Sequence, residues 1–113
     1  MNVFVHHIYE YQKGLRNLIL HTLHEKNRKD AVERLIRLRI PFHIQNVSES
    51  KINVFFGAPE CIDVIKNFGD KPLNELSPEQ DFILGTMLGY NLVNQCGRYL
   101  SKLKKENLPQ KIA

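Results

Sequence analysis

From Asn27 to Gly69 the spacing of apolar residues switches from helical to alternating and back, through NRKDAVERLIRLRI, PFHIQNVSESKINVFFG and APECIDVIKNFG. That switch predicts helix, hairpin, helix. In the first of these helices Val32, Leu35, Ile36 and Ile40 share one face, with Asn27 as its cap and Asp30 in its first turn. Pro41 stops the helix and opens a strand. Phe42 and Ile44 alternate with His43 and Gln45, and Ile52, Val54 and Phe56 alternate with Asn53 and Phe55. A short loop at Ser48, Glu49 and Ser50 then pairs 44 with 54 and 42 with 56, keeping the apolar residues on one face. Gly57 and Pro59 turn the chain into the second helix, with Gly69 just past its end.

Ahead of Asn27, VFVHHIYEY and LRNLILHTL fit either a hairpin or one amphipathic helix. The hairpin is preferred, because β-branched and aromatic residues alternate before Lys13 and Gly14, and a glycine suits a tight reversal. The helical alternative rests on Leu15, Leu18, Ile19, Thr22 and Leu23, which also share a helix face. With the hairpin, the strands order as 3–11, 15–23, 51–57 and 41–48, all antiparallel. The fold class is then α+β: a four-stranded sheet with two helices, like a circularly permuted ferredoxin-like sandwich, plus a long C-terminal helix.

That last helix starts at Ser77, whose spacing to Gln80 is that of a capping box, with Pro78 at the first helical position. Phe82, Thr86, Gly89, Val93, Cys96, Leu100 and Leu103 form one seam, roughly 30 Å long at 1.5 Å per residue. A sheet of this size does not cover such a seam, so a homodimer through the C-terminal helix is expected, with Gly85 and Gly89 allowing close contact. Residues 1–104 make one domain and 105–113 a basic flexible tail.

Composition narrows the class without naming an activity. The chain has 113 residues, 42% hydrophobic and 25% charged, and a net charge of +4, the range of an ordinary globular domain. No apolar run is long enough to span a bilayer, and MNVFVHHIYEY lacks the pattern of a signal peptide, so a cytoplasmic location and no membrane partner are expected. Basic residues gather between 12 and 39 and again near the C-terminus, which suits an acidic partner.

HHIYEYQKGLRNLILHT, INVFFGAPECI and SPEQDFILGTMLGYNLVNQCGRYL together resemble a family of short bacterial proteins, the domain of unknown function number twenty twenty-three. The resemblance spans almost the whole chain and implies no activity, cofactor or catalytic residue. Such proteins are associated with flavodoxin neighbours, which implies an acidic redox partner.

Candidate chemistry is sparse. His6 and His21 face each other across the expected hairpin, but His24, His43 and Glu10 have no spacing that commits a further ligand, so no metal is assigned. Cys61 falls in the first turn of a helix, where a thiolate is stabilised, yet Cys61, Ile65 and Phe68 also make an apolar face, and packing is the preferred reading. Cys96 is read as a packing residue on the last helix. Arg34 and Arg37, with Arg28, Lys29 and Arg39, could contact nucleic acid, although no exposed aromatic strand pattern accompanies them. Glu79 and Asp81 serve the helix dipole. The leading expectation is a non-enzymatic accessory or regulatory module without a cofactor, binding a protein or small ligand. The alternatives are a nucleic-acid binder and a small thiol or metal protein.

Overall fold

The run INVFFG becomes the central strand of the molecule. The computed structural model describes residues 1–107, in the order α1 (Asn2–Gln12), β1 (Leu18–His24), α2 (Arg28–Arg37), β2 (Phe42–Asn46), β3 (Lys51–Gly57), α3 (Pro59–Asn67), α4 (Pro78–Met87) and α5 (Leu92–Glu106). The three strands form an antiparallel sheet in the order β1-β3-β2. Phe42 pairs with Phe56 and Ile44 with Val54, the register expected from the alternation. Residues 18–24 lie beside β3 as expected for the second strand.

Residues 3–11 are a helix, not a strand, so the sheet has three strands rather than four. The reason is tertiary. Met1, Phe4, Ile8 and Tyr11 recur at helical spacing and pack on one face of the sheet, with Phe4 5.5 Å and Tyr11 6.4 Å from the Phe56 ring. Roofing that face takes Phe4 and Ile8 out of water, at 0 and 5% exposure. Gly14 does adopt a positive φ, +76°, but as the residue that ends α1: its N–H meets the Tyr11 carbonyl, and the Leu15 N–H meets that of Glu10.

Helices cover both faces. Phe4, Ile8, Ala31 and Leu35 of α1 and α2 pack with Ile19, Leu23, Ile52, Val54 and Phe56. Ile62, Ile65, Leu84 and Leu88 of α3 and α4 pack with Leu18 and Phe55 on the other side. The permuted ferredoxin-like arrangement therefore does not form, since it needs four strands and both helices on one face. In α2 the buried stripe is Ala31 and Leu35, while Ile36 is exposed, and Asn27 occupies the cap position without a side-chain bond.

The largest departure lies at the C-terminal end. Ser77 and Gln80 close the expected capping box on α4. The helix then stops: Gly89 takes φ +81°, its N–H reaches the Thr86 carbonyl, and the Tyr90 N–H reaches that of Gly85. Asn91 caps the next helix by accepting the Asn94 N–H at 2.9 Å. The continuous seam from Phe82 to Leu103 is thus broken into a helical hairpin, and the long C-terminal helix begins at Leu92. It runs to Glu106, past the expected start of a flexible tail at 105; residues 108–113 of that tail lie outside the described residues.

Candidate functional site

The α4–α5 hairpin is tied together through polar groups. Arg98 grips Asp81 with two hydrogen bonds of 2.7 and 3.1 Å, and Tyr99 meets Phe82 at 5.5 Å between ring centroids. Gln95 lies against Gly85, where a Cβ would overlap its side chain. The close approach expected of Gly85 is therefore made by the chain's own α5. Gly89, expected to serve the same contact, instead supplies the left-handed turn between the helices.

With Gln95, Arg98 and Tyr99 turned towards α4, the apolar seam of α5 falls about a third of the way round the helix. Leu92, Val93 and Leu100 are 60, 77 and 61% exposed, Cys96 is exposed beside them, and no residue of α5 is buried. Cys96, expected as a packing residue, is exposed. Leu92, Val93, Cys96 and Leu100 thus lie exposed along one flank of the helix, while Gln95, Tyr99, Lys102 and Leu103 are its partly buried positions.

Between the hairpin and the sheet lies a cleft of about 370 Å³. Leu20 of β1, Leu84 and Leu88 of α4, and Leu73 make it apolar; Asn74, Asp81, Tyr90, Gln95 and Arg98 make it polar. Asp81 is 13% exposed, and Arg98 occupies both of its oxygens. Leu73 and Asn74 also border a second cleft of about 510 Å³, over the polar part of the sheet. There Thr22 donates to Asn53 at 2.7 Å, Asn53 donates to Gln45 at 3.2 Å, and Gln45 donates to the Lys71 carbonyl at 2.6 Å.

The histidines are arranged differently from the expected hairpin. His6 is exposed on α1, away from His21, and it is His7 whose ring lies 5.1 Å from that of His21. Glu10 sits 3.2 Å from His7 and 3.6 Å from His6. Among the described residues no three His, Cys, Asp or Glu side chains are grouped to hold a metal ion. Burial, with His7 and the N-terminal ammonium adding to it, pushes the His21 imidazole below its ordinary value of 6.5. A histidine depressed by folding gives up stability as pH falls through 6.5 towards its lower folded value, and keeps it above 6.5. Urea denaturation between pH 7.5 and about 5 should show this loss, and His21→Phe should flatten it; an unchanged slope would contradict the assignment.

Cys61 is half-buried against the second core cluster, and burial with Glu60 nearby pushes its thiol above the ordinary value of 9.0. The helix end does not make it a thiolate. Alkylation of Cys61 should accordingly show a midpoint above 9.0, and one well below that would contradict the packing role. Arg34 is drawn to Asp30 at 3.3 Å, and Arg28 is clamped by Glu25 and Asn46, so part of the basic helix is already engaged. Arg37 is exposed on the same helix. Helices pack on the apolar residues of both sheet faces.

Gln95, Tyr90, Arg98 and Asn74 did not stand out in the sequence. Asp81 and Arg98 are seventeen positions apart and meet only because LGYN reverses the chain. Gly89 followed by Asn91 was the available signal, a helix-ending glycine with a helix-starting cap two residues later.

These features define a small α+β domain, a three-stranded sheet between helical layers, carrying a helical hairpin with an outward apolar stripe. The chain belongs to the family described as Protein of unknown function (DUF2023), whose model matches residues 2–102. No curated protein matches the chain.

Proposed function

We propose that the protein is a non-enzymatic accessory module that works by binding, and that a second copy of the chain covers the outward stripe of α5. The observation that carries this reading is the exposed stripe of α5, with Leu92, Val93, Cys96 and Leu100 exposed together. Four adjacent apolar or thiol positions on one helix face are a liability unless covered. An antiparallel, twofold pairing sets the basic end of each helix, Lys102, Lys104 and Lys105, beside the uncharged Asn91–Asn94 end of the other. A parallel pairing would set lysines against lysines, which is unfavourable.

Cys96 provides a direct test because it lies inside the stripe. In a Cys61→Ser background, a short bifunctional maleimide should join two copies through Cys96, and Leu100→Glu should abolish the product. Cross-linking that is no more efficient than at a cysteine placed on the exposed face of α2 would overturn the pairing.

A second reading rests on the basic end of α5, Lys102, Lys104 and Lys105, which favours an acidic protein partner, a redox protein such as flavodoxin. Titration of a flavodoxin into the protein at rising salt tests it: salt-sensitive binding lost in the Lys102→Glu, Lys105→Glu variant supports it, and no binding at low salt removes it.

A further inference from the structure

We infer that the outer edge of β1 takes up an extended segment of a partner protein as a fourth strand, a segment apolar at its centre and acidic at its ends. The inference goes beyond the pairing of α5, which uses a different element.

The ladder fixes which groups are on offer. The Glu25 N–H bonds the Ser50 carbonyl and the Ala58 N–H bonds that of Asn17, so in the register of β1 the odd-numbered residues bond β3. The N–H and C=O groups of Leu20, Thr22 and His24 therefore point away from the sheet, and no hydrogen bond reaches them among the described residues. Thr22 and His24 are exposed, and Leu20 is half-buried. Residues 3–11, expected as the strand beside β1, roof the sheet instead and leave β1 at its edge. A row of backbone donors and acceptors at strand spacing is matched by another extended backbone.

The two edges of the sheet are not alike. β2 is five residues long, follows Pro41, and has Arg28 bound to the Asn46 side chain at its far end, all features that discourage pairing. β1 is seven residues long, and LILHTL contains no proline, glycine, acid or lysine. Leu20 shares the wall of one cleft with Leu84 and Leu88, so an apolar side chain suits the position opposite it. Charge sets the ends. Arg16 and Lys26 flank the strand, and the ion pairs among the described residues, at Glu10, Glu25, Asp30 and Asp81, involve neither. Acidic residues at both ends of the added segment complement them. The same charges disfavour a second copy: two β1 strands paired antiparallel about His21 set Arg16 of each opposite Lys26 of the other.

Nuclear magnetic resonance titration of the full chain at low salt tests the inference, with a short peptide of alternating valine and threonine between glutamates as the probe. Saturable shifts and slowed hydrogen exchange of the Leu20, Thr22 and His24 amides are expected. The same peptide N-methylated at its central amides keeps its side chains and charges but has no donors there, and it should bind at least about tenfold more weakly. Lysines in place of the glutamates should weaken binding by a similar factor. His24 has φ −68°, which proline shares, and its N–H bonds nothing in the sheet, so His24→Pro blocks the edge without removing a ladder bond. That variant should bind the peptide about tenfold more weakly while its unfolding midpoint stays near that of the parent chain. Absence of saturable shifts at millimolar peptide would overturn the inference, as would equal binding of the N-methylated or lysine peptide, or undiminished binding by His24→Pro. Shifts confined to the Ile44 and Asn46 amides of β2 would also contradict it, and protection of the β1 amides that rises with protein concentration alone would assign the edge to a second copy instead. Repeating the titration with Leu100→Glu separates the two proposals, because the edge should still bind when pairing through α5 is lost.

Discussion

Gly57→Ala should lower the unfolding free energy by roughly 3–5 kcal/mol, the largest effect expected of any single methyl group added to this chain. Two independent costs combine. The residue adopts φ +153°, and a Cβ built there would overlap the Asn17 carbonyl oxygen and stand 2.9 Å from the Leu18 Cα. Both are backbone atoms at the start of β1, so no side chain can rotate away. The Gly57 N–H also bonds the Pro41 carbonyl, and the Ala58 N–H bonds that of Asn17, so a shift at 57 loosens the ends of all three strands. Gly14→Ala and Gly69→Ala are the controls. They have positive φ but open space around the added atom, and each should cost only about 1 kcal/mol. Urea denaturation of the three variants checks the ranking; a Gly57→Ala chain no less stable than Gly69→Ala would contradict the close approach of β1 and β3.

The second large effect concerns assembly. Val93→Glu with Leu100→Glu should weaken pairing by at least about a hundredfold, since each twofold interface would then hold four carboxylates in an apolar seam. The same double variant should leave the monomer within about 0.5 kcal/mol of the parent, because both side chains are already exposed. Sedimentation velocity over a dilution series, beside urea denaturation, measures both quantities. Equal loss of pairing and of stability would show that these residues belong to the core instead.

Much of the central fold was legible in the residues from 27 to 69, and the reason is that local signals there agree. Alternation set the register of β2 against β3, Gly69 follows the end of α3, and Pro41 precedes β2. But α2 ends at Arg37, with Arg39 at φ +57°, so Ile40 is outside it and Pro41 is not what stops it. The N-terminal segment misled because Gly14 fits two readings. A hairpin turn and a helix end both demand a positive φ, so the glycine could not distinguish them. What decided was whether Phe4, Ile8 and Tyr11 meet the sheet face, a long-range matter invisible to local pattern. The same holds for the cleft. Asp81 and Arg98 looked like a dipole-complementing acid and a surface base until the chain reversed at Gly89. The unbroken spacing from Phe82 to Leu103 concealed that reversal, because a heptad-like seam continues through it. The expectation of a dimer persists while its location moves, from the backbone contact of Gly85 and Gly89 to the outward stripe at Val93, Cys96 and Leu100.

Sedimentation equilibrium of the wild-type protein, at high micromolar concentration with both thiols kept reduced, tests the pairing of α5 most directly. The outward stripe predicts a reversible species of twice the 13.2 kDa chain mass, converted to the monomer by Val93→Glu with Leu100→Glu. A single species of 13.2 kDa across the whole concentration range would contradict it.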